Sequence, residues 1–179
     1  MQSQPQLFQQ VLSPSDIVYT PEWVAMDLVE WFKPNGIILE PCKGDGAILK
    51  HLPAHSSWCE IKEGKDFFAW SSGVDWIISN PPYSMLTDWL KHSYSVARNI
   101  VYLLPLNAFF ISFTKMSTCH EYGWIKHIRV YGTGKRLGFP IGKTVGAFHF
   151  AQGYQGPTSW SWCVPDNPTS THRQPATDN

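Results

Sequence analysis

The chain has 179 residues, 43% of them hydrophobic and 16% charged, and its formal net charge is zero. That length suits one domain with a continuous core, and the composition excludes a disordered chain. The neutral sum counts against a nucleic-acid partner held by overall charge alone.

The distribution of charge says more than the sum. No acidic residue lies between Glu121 and Asp166, a stretch that carries Lys126, Arg129, Lys135, Arg136 and Lys143 with His127 and His149. One part of the molecule is therefore basic, unless acids from elsewhere in the fold neutralise it. Nine tryptophans, seven tyrosines and ten phenylalanines suit either a core of large side chains or a surface for a partner with flat faces. Cys42, Cys59, Cys119 and Cys163 form no C-x-x-C pair, and the histidines are not clustered at ligand spacing, so no metal site is expected. The cysteines read as free thiols in a reducing compartment. With neither a signal-peptide pattern nor an apolar run of bilayer length, the expectation is a soluble, cytoplasmic protein with no membrane partner.

In chain order, residues 1–14 read as a flexible Gln-rich arm, 15–164 as a single folded domain and 165–179 as a disordered polar tail. Apolar residues at helical spacing in "TPEWVAMDLVEWF" predict a helix capped by Thr20 with Pro21 at its first position, ending at Pro34-Asn35-Gly36. "GIILE" reads as a buried strand, followed by the turn "PCKGDG" and a helical pattern from Ala47 to Leu52. "SSWCEIK" is a second short strand, and "DFFAW" a loop with one helical turn. Strand "VDWIIS", helix "MLTDWLKHSYSVA" and strand "NIVYLLPL" follow. This strand-then-helix order predicts a mostly parallel α/β sheet. "WIKHIRVYG" and "TVGAFHFAQGY" then predict a terminal antiparallel pair joined by the basic loop "GTGKRLGFPIGK".

Ligands of open α/β sheets bind beyond the carboxyl ends of the strands. Four features fall at such ends: the glycine turn after Glu40, the acid Glu60, the pair Asp66-Phe67, and the rigid turn Asn80-Pro81-Pro82-Tyr83. Consecutive prolines fix φ and donate no N–H, so this last turn can continue neither a ladder nor a helix. Singly these signals are weak; the ordered set is far more specific. A dinucleotide-binding G-x-G-x-x-G is excluded, because Gly44-Asp45-Gly46-Ala47-Ile48-Leu49 lacks the third glycine.

"LEPCKGDGAIL", "WCEIKEGKDFFAW" and "DWIISNPPYS", preceded by "YTP", resemble the cofactor-binding and catalytic segments of N6-adenine methyltransferases that use S-adenosylmethionine. The small size is similar to that of phage and prophage enzymes. The resemblance implies a Rossmann-like class I methyltransferase fold with a seven-stranded sheet. It implies that Tyr19, Thr20 and Pro21 line the methionine end of the cofactor, with Glu40 near its amino group. Pro41, Cys42, Gly44 and Gly46 would then form the turn beneath it. Glu60 would hold the ribose, and Asp66 and Phe67 the cofactor adenine. Asn80 and the Pro81 carbonyl would accept hydrogen bonds from the target amino group, Pro82 would keep the turn rigid, and Tyr83 would stack on the target base. Read without the resemblance, Thr20 is an N-cap, Phe67 a core residue and Asp45 a turn residue.

The same tetrapeptide occurs in enzymes that methylate a release-factor glutamine amide and in RNA adenine methyltransferases. The acid-free stretch favours nucleic acid, with Lys135, Arg136 and Lys143 as contacts and DNA preferred over RNA. A noncatalytic nucleic-acid-binding subunit remains a rival. The sequence contains no separate target-recognition domain, so specificity must come from short loops, the basic segment or a partner subunit, in a monomer or homodimer.

Overall fold

Glu22–Phe32 form helix α1 in the computed structural model, which describes residues 18–139 and 142–163. The arm expected at 1–14 and the tail expected at 165–179 lie outside the described residues, as do Pro140 and Ile141. Helix α1 differs from expectation at its start. Pro21 is the N-cap, with φ −58° and ψ 142°, and among the described residues no side chain caps the helix. The Pro21 carbonyl accepts from the Val24 and Ala25 amides. Thr20 is engaged elsewhere, as described below.

The remaining elements are β1 (Ile38–Glu40), β2 (Ser57–Trp58), β3 (Val74–Ser79), α2 (Leu86–Val96), β4 (Ala97–Pro105), α3 (Leu106–Phe110), α4 (Phe113–Tyr122), β5 (Gly123–Thr133), β6 (Thr144–Gln152) and β7 (Ser159–Trp162). The helical pattern at Ala47 to Leu52 yields only one 3-10 turn, Leu49–His51. Pro53 excludes the helical region for its predecessor, and Leu52 is accordingly extended, with ψ 157°. Asp66 caps a second such turn, Phe67–Ala69, by accepting from the Phe68 amide.

The seven strands form one sheet in the order β2-β1-β3-β4-β6-β5-β7. Strands β1, β2, β3 and β4 pair in parallel. Strand β6 runs antiparallel to both β4 and β5, which returns β5 to the direction of β4. The expected antiparallel pair is therefore present but not at the edge, because β7 adds in parallel to β5. Six of the seven strands thus aim their carboxyl ends at one edge of the sheet, where ligands of such sheets bind.

Both faces of the sheet are covered. Val24, Ala25 and Leu28 of α1 pack with Ile38, Ile78, Val101, Leu103 and Ala147 on one face. Leu86, Trp89 and Leu90 of α2, Phe109 of α3 and Cys119 of α4 pack with Ile77, Ile100, Leu104, Phe148 and Phe150 on the other. Helix α1 is also tied to the far half of the sheet through charge. Asp27 accepts two hydrogen bonds of 2.6 Å from Arg129 and one of 2.7 Å from Tyr131. Arg129 is 8% exposed and stacks on Trp31. The basic stretch read from the sequence is therefore partly neutralised from outside it: Arg129 is paired, and His149 is buried. Lys126, Lys135, Arg136 and Lys143 remain exposed.

Candidate active site

Strands β1 and β3 and the short β2 deliver Glu40, Glu60 and Asn80 to neighbouring points on the carboxyl edge. A cleft there is lined by Val18, Tyr19 and Thr20 on one side and by Cys42, Lys43, Gly44, Asp45, Ala47 and Ile48 of the turn on another, with Glu40, Glu60, Asn80 and Pro82 between them; Gly46 of the same turn lies outside the lining. The turn needs its glycines. Gly44 and Gly46 have φ of 54° and 85°, values that favour residues lacking Cβ. The bend aims the Gly44 amide at Glu60 Oε2, 3.0 Å away, while Glu60 Oε1 accepts from the Lys62 amide at 3.1 Å. One carboxylate thus ties together the turns that follow β1 and β2 while lining the cleft.

Glu40 is 1% exposed, and its Oε2 has no hydrogen-bond partner among the described residues. Burial, with Asp45 nearby, pushes its carboxyl up to about 9, although the Leu49 amide partly offsets this. A buried oxygen left unpaired is costly and marks a place where a ligand donor completes the network. The α-ammonium group of S-adenosylmethionine carries the required charge and N–H donors, so the residues present fit that cofactor. Cys42 lines the same cleft; burial raises its thiol to about 12, which keeps it from being a nucleophile at neutral pH.

Asn80 is the most constrained polar side chain of the site. Its Nδ2 donates to the Val18 carbonyl at 2.9 Å and to Thr20 Oγ1 at 3.2 Å, and its Oδ1 accepts from the Tyr83 hydroxyl at 2.9 Å. A backbone carbonyl can only accept, so it fixes which end of the amide is nitrogen. A carbonyl oxygen has two lone pairs, and Tyr83 takes one. The double proline makes this possible: Pro82 is extended, with ψ 119°, and leads through the 3-10 turn Tyr83–Met85 into α2. The Tyr83 ring is thereby folded back beside Asn80 and packs against the α2-side core.

Several expected site residues lie outside the cleft lining. Pro41 is buried beneath the turn. Asp66 lines a separate groove with Trp58, Lys65 and Trp70. Phe67 is 3% exposed and packs on Trp89 and His92, the placement that the core reading anticipates. Lys135, Arg136 and Lys143 are exposed on the loop after the carboxyl end of β5. Val18 was not singled out from the sequence; its contribution is a main-chain carbonyl, which leaves no side-chain signal.

No protein-family model and no curated protein matches the sequence. Solved structures do resemble the chain. A protein from Listeria monocytogenes assigned to the class I S-adenosylmethionine-dependent methyltransferases superposes with a TM-score of 0.62 at 13% identity, over 86% of this chain and 68% of the other. One from Pyrococcus horikoshii assigned as an RNA methyltransferase gives 0.50 at 17%, over 73% and 80%. A type I restriction-modification methyltransferase subunit from Streptococcus thermophilus gives 0.54 at 14%, over 75% and 44%. Among the described residues no helix is long and apolar enough to cross a membrane. At these identities the likeness carries the fold and no more: the chain has the Rossmann-like class I methyltransferase fold.

Proposed function

We propose that the protein is an S-adenosylmethionine-dependent methyltransferase acting on the exocyclic N6 of adenine in DNA. The observation that carries this reading is the fixed Asn80 amide beside a cleft whose buried Glu40 carboxyl has one oxygen without a partner among the described residues. Glu40 binds the ammonium end of the cofactor, Glu60 the ribose hydroxyls, and the glycine turn lets the backbone come close. Tyr19, Thr20 and Pro21 close the methionine end. Asp66 and Phe67 are assigned to the cofactor adenine on the resemblance alone. Bound S-adenosylmethionine supplies a methyl group on a positively charged sulfur, and its transfer leaves the amine with one proton in excess, which passes to solvent.

The chain's own work is on the acceptor. An adenine amino group delocalises its lone pair into the ring and is a poor nucleophile. The free lone pair of Asn80 Oδ1 and the Pro81 carbonyl accept the two amino hydrogens and favour tetrahedral geometry at nitrogen. Acceptors already fixed in place need no reorganisation as charge develops. No general base is required before transfer. Tyr83 packs on the base, which in a duplex must leave the stack.

Adenine is favoured over a glutamine amide because the exposed cations Lys135, Arg136 and Lys143 sit on the same carboxyl edge. The likeness to a restriction-modification subunit agrees with DNA and with a partner subunit that supplies target choice. The test is incubation with labelled S-adenosylmethionine and, separately, duplex DNA, single-stranded DNA, RNA and a glutamine-bearing release-factor substrate, followed by mass spectrometry of the digests. N6-methyladenine in DNA is the expected product. Methylglutamine, or label in none of the four, overturns the reading.

A further inference from the structure

The carboxyl edge of the sheet is divided in two. The β2-β1-β3 half holds the cleft, whose charge is mixed: Glu40, Asp45, Glu60 and Glu63 line it together with Lys43 and Lys62, and Lys43 pairs with Glu63 at 2.7 Å. The β4-β6-β5-β7 half has another character. From Trp89 to Pro165 the only acidic residue is Glu121, while Lys135, Arg136 and Lys143 are exposed after β5. Asn80 lies at the border, since β3 pairs with β4.

At the carboxyl end of β4 the chain enters α3 and then α4, and the junction carries large apolar side chains facing water. Phe110 is 40% exposed, Ile111 75% and Phe113 82%. The backbone beneath them is held firmly. Phe109 is fully buried against Phe148 and Phe150. Lys115 Nζ donates to the Ala108 carbonyl at 3.0 Å, and Ser112 caps α4. Three apolar side chains displayed on a braced turn suggest a surface that meets a partner. The flanking cations select a polyanion, and the apolar tips require that polyanion to offer a flat apolar interior. A second copy of the chain fits less well, because isologous contact through this half would set its cations against their own counterparts.

We infer that the Phe110-Ile111-Phe113 turn is a wedge that enters the base stack of a nucleic-acid duplex as the target nucleotide leaves it. The inference rests on the nucleic-acid reading above and extends it to duplex substrates. A rigid apolar wedge replaces the stacking lost at the extruded base. A single strand has no paired stack to open, so its methylation does not need the wedge.

The test replaces Ile111→Ser with Phe113→Ser, both exposed, and compares thermal unfolding with the parent to verify folding. Initial methylation rates are measured on linear plasmid duplex and on its separated strands, or on RNA of both kinds if RNA is the acceptor. The expected result is an unchanged single-strand rate and a duplex rate lower by about tenfold. Phe113→Trp should keep the duplex rate. Equal effects on both substrates, or none, overturn the wedge while leaving the methyltransferase reading standing. A parent dimer that the double variant dissociates, with no change in the duplex to single-strand ratio, assigns the turn to self-association instead. If the parent methylates a glutamine amide and no nucleic acid, both readings fall together.

Discussion

The Asn80 amide nitrogen lies 2.9 Å from the Val18 carbonyl oxygen, and this contact decides what position 80 can hold. An Asp has the same shape, but one of its oxygens would face a carbonyl oxygen with no hydrogen between them. Asn80→Asp should therefore turn or withdraw the side chain and abolish the second acceptor direction. Both Asn80→Asp and Asn80→Ala are expected to bind S-adenosylmethionine as the parent does and to lose about a hundredfold or more in methyl transfer. Equilibrium binding and single-turnover transfer separate the two effects. Full turnover by Asn80→Asp would show that the Val18 contact does not orient the amide.

Tyr83 tests how the ring contributes. If it only stacks on the base, Tyr83→Phe keeps activity. The hydroxyl bond to Asn80 Oδ1 at 2.9 Å predicts otherwise. Losing one neutral hydrogen bond costs about 1 kcal/mol, so Tyr83→Phe should transfer about fivefold more slowly. Tyr83→Ala, which loses ring and hydroxyl, should be slower still.

Glu40 gives a prediction in which stability and binding move in opposite directions. Its carboxyl is pushed from 4.5 up to about 9 in the folded protein, chiefly by burial. A raised folded value means that the folded chain holds a proton which the unfolded chain releases above 4.5. The contribution to stability is thus complete below pH 4.5 and is lost as pH rises through about 9. Glu40→Gln removes this dependence, so the variant should unfold at a higher temperature than the parent at pH 8 and lose that advantage near pH 4. The same variant should bind S-adenosylmethionine more weakly, because the glutamine has no proton to release and cannot become the counter-charge of the ammonium group. Thermal unfolding across pH, with and without cofactor, reads both effects.

His149 predicts acid lability. Its Nε2 is 3.0 Å from Asn99 Oδ1, its ring stacks on Trp76, and it is 6% exposed. Burial, with Lys126 and His127 adding to it, lowers its value from 6.5 to about 4. Between those values the unfolded chain binds a proton that the folded chain refuses, so stability falls as pH drops below 6.5, by about 3 kcal/mol in full. His149→Gln should flatten the denaturant midpoint between pH 6.5 and 4, and an unchanged slope would place the acid sensitivity elsewhere.

Much of this architecture is legible in the sequence where local signals suffice. Strand β3 falls on "VDWIIS" because an apolar run is bounded by Gly73 and the proline pair, and α2 follows from its helical spacing. The mostly parallel α/β sheet is legible from the order of strands and turns, whereas its class I form comes from the resemblance. Elements with weak local signals were not read. Helices α3 and α4 start after Pro105 and after Ser112 without strong periodicity, and β7 shows only the Ser-Trp alternation of "SWSW". At the site, residue types at strand ends pointed to Glu40, Glu60 and Asn80, but contacts between distant segments could not be read locally. Thr20 has a cap's chemistry yet bonds a side chain 60 residues away. Arg129 looked like surface charge until the fold brought Asp27 beneath it.

That pairing sharpens which cations are left to hold a polyanion. Arg129 is committed to Asp27, whereas Lys135, Arg136 and Lys143 stand exposed on a loop closed by the Gly134 amide on the Lys143 carbonyl at 2.8 Å. Leu137 and Phe139 anchor the loop from within the α1-side core, so its cations can be changed without loss of the fold. Lys135→Ala with Arg136→Ala should weaken nucleic-acid binding at low salt and reduce the slope of log K against log salt by about 2, close to one per phosphate contact released. Arg129→Ala should behave differently. It leaves the half-buried Asp27 without its paired cation, with Tyr131 as its remaining close donor, so stability should fall by about 3 kcal/mol while the salt slope of the folded fraction stays that of the parent. A changed slope in Arg129→Ala and an unchanged one in the loop variant would move the docking surface from the carboxyl edge to the α1 face.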